Sequence, residues 1–199
     1  VHEGGWYALL RVYPDRLDVQ VKRVGEPLAP RMIVDGAGRS GGWDADPDAD
    51  PDAPPAPPPL LRLAHLADTQ IVAERQDRGH YDQRCRDWRN LRAAVAEINA
   101  LGVDCVVHAG DLVGSGRRPA DWAAYRRLIA PLAAPLHAVC GNHDWDGQDV
   151  DGTPIAESFR HHVPGPLHYA VERAGVLLVC VANGLVRPAD VRRFLPRAR

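Results

Sequence analysis

The sequence predicts an α/β fold with a mostly parallel sheet. From residue 60 onward, three apolar runs alternate with two amphipathic stretches of helical length. This βαβαβ alternation is typical of parallel strands that are joined by right-handed helical crossovers. Ligands in such folds bind beyond the carboxyl ends of the strands. We therefore expect any functional site at that edge of the sheet.

The elements of this part follow in a simple order. Strands are expected at residues 60–67, 103–109 and 136–140, with helices at 87–101 and 120–132 between them. A short helix near 154–161, two strands at 169–172 and 176–182, and a helix that begins at Pro188 complete the order. The two late strands flank Ala174-Gly175, whose turn chemistry favours a hairpin.

An N-terminal β-hairpin is predicted before this domain. Residues 6–13 and 17–24 are rich in β-branched and aromatic side chains, and Pro14-Asp15 between them favours a turn. A lone hairpin is marginally stable in water, so it is expected to dock on another element. Apolar and polar residues alternate in the second arm, which predicts one buried and one solvent-facing set: Leu17, Val19 and Val21 against Asp18, Gln20 and Lys22.

A proline-rich segment separates the hairpin from the main domain. Residues 44–59 contain seven of the eighteen prolines and no aliphatic side chain larger than alanine, and a glycine-rich stretch precedes them. Such a segment cannot form a core element and is typical of a linker. We predict a hairpin at 1–35, a linker at 36–59 and the main domain at 60–199.

Composition excludes several classes of protein. The 199 residues carry a formal charge of −2, which gives no field for holding nucleic acid, so no nucleic-acid partner is expected. No apolar segment reaches the roughly 20 residues needed to span a bilayer, and we expect no membrane partner and a cytoplasmic location. The four cysteines form no Cys-x-x-Cys pair, which predicts reduced thiols.

Polar motifs follow each of the three parallel strands. Asp68-Thr69-Gln70 follows the first, Gly110-Asp111 the second and Gly141-Asn142-His143-Asp144 the third. Because these strand ends meet at one edge, the side chains are expected to share a pocket. Asp111 could bridge two divalent ions roughly 3.5 to 4 Å apart, which would bind a phosphoryl oxygen. Asn142 would add an uncharged oxygen ligand and keep the site open to an anionic substrate.

In order and spacing, the three motifs resemble those of the calcineurin-like metallophosphoesterases, across about residues 60–195. The resemblance implies a β-sandwich flanked by helices (α/β/β/α) and an enzyme that hydrolyses phosphate mono- or diesters with a metal-bound hydroxide at a dinuclear site. It implies that His143 faces the phosphate and that Asp144 orients its imidazole. The metal ligands that it implies are Asp68, Gln70, Asp111 and Asn142.

The third position of the first motif differs from the more usual Asp-x-His pattern of the family. Gln70 stands there, as in the Asp-x-Gln variant that this chain resembles. An amide oxygen is a harder and weaker ligand than an imidazole nitrogen. The two divalent ions are therefore expected to be Mn²⁺ or Mg²⁺, with Fe and Zn²⁺ also compatible. The substrate is expected to be a small phosphate ester or a phosphoprotein.

The family's later histidine motifs are not found in residues 60–199, which predicts an incomplete domain. Residues 1–35 resemble the closing hairpin of the same family, and His2 would then complete the first metal shell. Two arrangements are open: a fragment of tandem domains, or a permuted chain whose hairpin docks on its own sheet. A missing segment or neighbouring domain could complement the site. The alternative function is a noncatalytic metal- or phosphate-binding module, or an inactive fragment, of the same fold.

Several other residues have two interpretations. His65, His108 and His137 lie in predicted strands, where a histidine is more often a hydrogen-bonded core residue than a metal ligand. Trp145 directly follows the third motif and is a candidate for a wall of the substrate site. Arg117 and Arg118, which follow the second motif, could meet a phosphate, although solvated loop arginines are more common.

Overall fold

A computed structural model describes residues 5–35, 40–44, 57–73, 81–148 and 154–182. Its largest sheet has seven strands in the order β4-β3-β2-β1-β5-β6-β7. These are β1 (Trp6–Val12), β2 (Arg16–Arg23), β3 (Arg31–Asp35), β4 (Ser40–Asp44), β5 (Leu61–Leu66), β6 (Cys105–Ala109) and β7 (Leu136–Val139). The helices are α1 (Tyr81–Leu101), α2 (Pro119–Ile129) and α3 (Glu157–His162). Two further pairs are β8 (Gly147–Gln148) with β9 (Pro154–Ile155), and β10 (His168–Arg173) with β11 (Val176–Val181).

The parallel half of the sheet agrees with the sequence. Strands β5, β6 and β7 are parallel neighbours, and α1 and α2 make the crossovers between them. The N-terminal hairpin is also present, because β1 pairs antiparallel with β2. The other edge of β1 pairs antiparallel with β5, so that the hairpin docks on the sheet of its own chain.

Apolar side chains pack on both faces of the seven-stranded sheet. On one face, Ala64 and Val106 contribute to a buried cluster with Ile98 of α1 and with Trp122 and Leu128 of α2. This arrangement follows from the period of two in strands, which sends alternate side chains to opposite faces.

The second face is covered by a smaller sheet. Leu63 and Cys105 pack there against Val176 and Leu178 of β11, and Tyr169 of β10 donates a hydrogen bond to the carbonyl of Ala138 at 2.9 Å. The predicted α/β fold with two facing sheets is therefore confirmed. The helix predicted from Pro188 lies outside the described residues.

The buried face of β2 is the opposite of the one predicted. Asp18 and Gln20 are buried, whereas the apolar residues of the strand are only half-buried. Asp18 accepts from Arg31 of β3 at 2.9 Å, and Gln20 accepts from Arg11 at 2.5 Å. These partners satisfy polar groups that would otherwise be costly to bury. The prediction failed because β3 was not expected beside β2.

The predicted linker contains a strand. Residues 40–44, which fall within the segment 36–59, form β4 and pair with β3, with a register shift between Met32 and Val34. Most of the proline-rich part lies outside the described residues, and the division of the chain at 36 and 59 stays a prediction.

Other expectations concern thiols and membranes. Cys105, Cys140 and Cys180 are buried free thiols, as expected for small apolar residues of a core. Within the described ranges, no helix has the length and apolar character required to cross a membrane.

Candidate metal centre

The loops after β5 and β6 run side by side. The Asp68 amide donates to the Gly110 carbonyl at 3.1 Å, and the Gln70 amide donates to the Asp111 carbonyl at 2.8 Å. A parallel bridge between Ile71 and Val113 continues the pairing beyond the strands. Backbone bonds thus bring together the first two predicted motifs.

Three of the predicted ligands have an unusual backbone conformation. The φ angles are +53° at Asp68, +41° at Gln70 and +52° at Asp111. Residues other than glycine adopt positive φ uncommonly, and such strain concentrates at functional sites, where the surrounding structure maintains it. Positive φ at three neighbouring positions indicates that the backbone at this edge of the sheet fixes the directions of their side chains.

Two glycines allow the loops after β6 and β7 to approach. A Cβ atom at Gly110 would lie 3.0 Å from the Cα of Gly141. A Cβ atom at Gly141 would overlap both the backbone nitrogen and the carboxylate of Asp111. The third motif can therefore reach Asp111 only because glycine precedes Asn142.

Three of the four predicted ligands face a common cavity, and the fourth contacts one of them. Asp68, Asp111 and Asn142 line a space of about 650 Å³ at this edge. Gln70 contacts Asp111, with its Nε2 3.3 Å from Oδ2, and the other carboxylate oxygen accepts the His143 amide at 2.9 Å. The structure thus brings these four ligands together. His2 lies outside the described residues, and its predicted role stays untested.

Residues other than the predicted ligands also form walls of the cavity. His65 of β5 and Trp145 line it, together with residues 179–181 of β11 in the second sheet. The order of motifs cannot reveal the β11 residues, because they come from another sheet. His65 and Trp145 were considered as candidates, and their positions close to the first and third motifs were the available signal.

The donor chemistry fits an oxygen-preferring divalent ion. Asp111 is buried, with 7% of its surface exposed, and no lysine or arginine within the described ranges forms an ion pair with it or with Asp68. A buried carboxylate is costly unless a cation compensates it. Two carboxylates and two amides are the hard ligands that Mg²⁺ and Mn²⁺ prefer.

Acidic, histidine and cysteine side chains alone do not make this site. Across the described part of the chain, no three of these residues group in a way that could hold a metal ion. The candidate centre therefore depends on the amide oxygens of Gln70 and Asn142 in addition to the two aspartates.

A family model of the calcineurin-like phosphoesterases matches residues 61–195, which is more than half of the chain. The chain belongs to this family. A search of curated proteins finds no match. Membership supports a phosphoesterase-type function in general, because the family consists of hydrolases that act on phosphate esters and typically bind divalent metals.

The hydrogen bonds of the Asp144 carboxylate, in the phosphoesterase motif, go to backbone amides and not to the imidazole that it was predicted to orient. The carboxylate is fully buried and accepts the amides of Gly141 at 2.9 Å and Val113 at 3.1 Å. Burial raises its pKa to about 6, and these two hydrogen bonds oppose that rise. Through these hydrogen bonds the carboxylate holds the loops after β6 and β7 together. Its predicted role beside His143 is therefore corrected to stabilisation of these two loops.

A backbone carbonyl takes the predicted place of Asp144 beside His143. The Nδ1 atom of His143 lies 3.2 Å from the Gly114 carbonyl oxygen. Because a carbonyl can only accept, Nδ1 carries the proton of this bond. Nε2 is then the nitrogen that remains for a substrate, and the His143 side chain is exposed.

A buried polar chain supports the loop of the first motif. His108 Nδ1 lies 2.8 Å from the Tyr125 hydroxyl, and its Nε2 lies 3.3 Å from Thr69 Oγ1, which also donates to the Leu112 carbonyl at 2.9 Å. Since the Thr69 proton goes to that carbonyl, its oxygen accepts from Nε2–H, and Nδ1 accepts from Tyr125. Burial, with a smaller effect from nearby His65, lowers the pKa of His108 to about 3. His108 is thus a neutral core histidine.

Proposed function

We propose that this chain is a metal-dependent phosphoesterase that hydrolyses phosphate mono- or diesters at a dinuclear site. The single observation that carries the proposal is the buried carboxylate of Asp111, which has no cationic partner among the described residues and faces a cavity shared with Asp68 and Asn142. Its substrates would be small phosphate esters or phosphoproteins, and we propose a cytoplasmic location without nucleic-acid or membrane partners.

The chain would supply the ligands and one proton-carrying group. Asp68, Gln70, Asp111 and Asn142 would hold two divalent ions, which polarise the phosphoryl group and lower the pKa of water. In hydrolysis, the water oxygen forms a bond to phosphorus, the ester P–O bond breaks, and the leaving oxygen takes up a proton. His143, held by the Gly114 carbonyl through Nδ1, would present a protonated Nε2 to that leaving oxygen.

The proposed metals are Mn²⁺ or Mg²⁺. The amide group of Gln70 would occupy a position where imidazole would favour zinc. In a metal titration of the EDTA-treated protein, Mn²⁺ should restore more activity than Zn²⁺ at equal concentration. Tight stoichiometric zinc that supports full activity would contradict this assignment.

Hydrolysis of 4-nitrophenyl phosphate and bis(4-nitrophenyl) phosphate with added Mn²⁺ tests the proposal. Loss of the charge stabilisation and acid assistance that His143 would provide should lower kcat about 10²- to 10⁴-fold in His143→Ala. His161→Ala removes an exposed histidine outside the cavity and serves as the matched control. Turnover that survives both EDTA and His143→Ala would argue against a metal-dependent phosphoesterase.

A second candidate function is a noncatalytic metal- or phosphate-binding module, or an inactive fragment, of the same fold. The observation that favours it is the small number of ionic ligands, since the described residues hold no group of three or more acidic, histidine or cysteine ligands. Calorimetry would show Mn²⁺ or phosphate binding that Asp111→Asn abolishes, while neither nitrophenyl ester is hydrolysed. An Asp111-dependent turnover would exclude this candidate.

A further inference from the structure

A second cavity adjoins the metal cavity. We name it the Arg117 cleft; it has a volume of about 500 Å³ and is lined by Ser115, Arg117, His143, Trp145 and Gln148, with Gly114, Asn142 and Gly147. Asn142 and Trp145 line both cavities. The two cavities therefore share part of their lining, and the Arg117 cleft lies beside a phosphate ester that binds next to Asn142 in the metal cavity.

His143 identifies which part of a substrate the Arg117 cleft would receive. Its side chain lines the cleft but is not among the residues that line the metal cavity. A group that protonates the leaving oxygen must lie on the leaving-group side of the phosphorus atom. The leaving group, rather than a second substituent of the phosphate, then occupies the Arg117 cleft.

Arg117 supplies a fixed positive charge in this cleft. Its Nε donates to the Asp146 carbonyl, and its guanidinium lies against Gly147, whose φ of +144° and missing side chain leave the space for it. No acidic side chain of the described ranges forms an ion pair with Arg117. The backbone contact fixes the side chain without neutralising it, and the other guanidinium N–H groups remain suited to planar anions.

We propose that the Arg117 cleft is the leaving-group subsite and that it selects phosphate esters whose leaving group carries a second anion, such as a carboxylate or a further phosphate. This inference rests on the proposed function for the direction in which the ester lies. Trp145 lines both cavities and gives the organic part of the leaving group an apolar surface.

Two phosphonates that cannot be hydrolysed test the selection apart from catalysis. Calorimetry with Mn²⁺ would compare phenylphosphonate with 4-carboxyphenylphosphonate, which adds one anion on the side away from phosphorus. The carboxylated probe should bind the wild-type protein roughly five- to tenfold more tightly, as a charge-assisted contact at an exposed arginine allows. Arg117→Ala should abolish this preference, and Arg117→Lys should keep part of it.

Arg126→Ala is the matched control, because it removes an exposed arginine of α2 that lines neither cavity. It should retain the preference for the carboxylated probe. Equal binding of the two probes to the wild-type protein, binding of neither probe, or a preference that survives Arg117→Ala would overturn the proposal. An Arg117-dependent preference in a protein that hydrolyses no ester would support the subsite and instead refute the proposed catalytic function.

Discussion

Gly141 sets the separation between the second and third motifs. The Cα atom of Gly141 lies so close to Asp111 that a methyl group on it would overlap the carboxylate and the backbone nitrogen of Asp111. We predict that Gly141→Ala displaces Asp111 and weakens Mn²⁺ binding by about 10- to 100-fold, as expected when the support of a metal ligand is lost. Calorimetric titration with Mn²⁺ measures this change.

Gly175→Ala is the control for this substitution. Gly175 also has a positive φ, at +76°, but no atom lies within 4 Å of the position that a Cβ would take. The control should lower stability by about 1 kcal/mol through backbone strain and leave the Mn²⁺ affinity unchanged. Equal metal affinities in Gly141→Ala and the wild-type protein would show that the close contact is not needed for the site.

The sequence was sufficient to predict the candidate metal ligands, but not the hydrogen bonds that hold their loops in place. Asp68, Asp111 and Asn142 could be predicted because each follows an apolar run, and parallel strands carry such ends to one edge. The role of Asp144 could not, because its partners are backbone amides of two different loops. Sequence spacing placed this carboxylate beside His143 but did not show which hydrogen-bond donors surround it.

At the scale of elements, β6 and α2 jointly hold the loop of the first motif. His108 points from β6 to Tyr125 of α2 and to Thr69, which lies between the strained residues Asp68 and Gln70. Thr69→Val keeps the shape of the side chain but removes both hydrogen bonds of its hydroxyl. We predict roughly tenfold weaker Mn²⁺ binding, which is the effect of losing a support of a metal ligand.

Thr69→Ser separates this effect from packing, because it retains the hydroxyl and loses only a methyl group. It should bind Mn²⁺ within about threefold of the wild-type protein in the same titration, since a small core change leaves the hydrogen bonds in place. If the valine variant bound the metal as well as the serine variant did, the hydroxyl would have no part in holding the loop.

The buried His108 also makes stability depend on pH. Its pKa is about 3 in the folded chain and about 6.5 when exposed, so between these values the unfolded chain binds the extra proton. Its contribution is fully present above pH 6.5 and is lost as pH falls toward 3, at up to about 1.4 kcal/mol per pH unit. Urea unfolding of the metal-free protein from pH 7 to 4 should show a shallower slope in His108→Gln. Parallel slopes would mean that His108 is not held neutral.

For the N-terminal hairpin, the local sequence predicted the strands but not the face of β2 that is buried. Their β-branched and aromatic content correctly predicted both strands, and alternation predicted the period of two in β2. Alternation failed to predict which face of β2 is buried, because Asp18 is stabilised by Arg31, a residue of the unpredicted strand β3. Strand β4 contains two glycines and β3 ends beside the glycine-rich stretch, and because glycine is depleted in strands this region carries a weak strand signal.

At the scale of the whole molecule, β1 joins the two parts of the chain into one sheet. It lies between β2 and β5, and Leu10 faces Leu63 in the register of the second pair. The alternating pattern after residue 60 was sufficient to predict the parallel half, because βαβ units are local in sequence. The pairing of β1 with β5 joins residues 49 to 57 positions apart, from Val12–Leu61 to Ala8–His65, and depends on tertiary contacts. The sequence could therefore indicate that the hairpin must dock, with its own sheet as one of two open arrangements.

Further contacts tie the N-terminal hairpin to α1. The Tyr7 hydroxyl donates to Glu97 at 3.2 Å, and Lys22 forms an ion pair with the same carboxylate at 3.2 Å. The amide of Gly25 donates to its other oxygen at 2.7 Å. Leu9, buried in the cluster shared by α1 and α2, adds apolar contact. These interactions predict that the hairpin unfolds together with the main domain.

Leu9→Ala tests this cooperativity. Removing a core leucine should lower the free energy of unfolding by about 2 to 5 kcal/mol. Leu9 is 3% exposed, whereas the control Leu60→Ala alters a side chain that is 44% exposed and should cost less than about 1 kcal/mol. Urea unfolding followed by tryptophan fluorescence and circular dichroism should give one coincident transition that moves as a whole in Leu9→Ala. Two separate transitions, with only one shifted by the substitution, would show that the hairpin is an independent unit and not a strand pair of the common sheet.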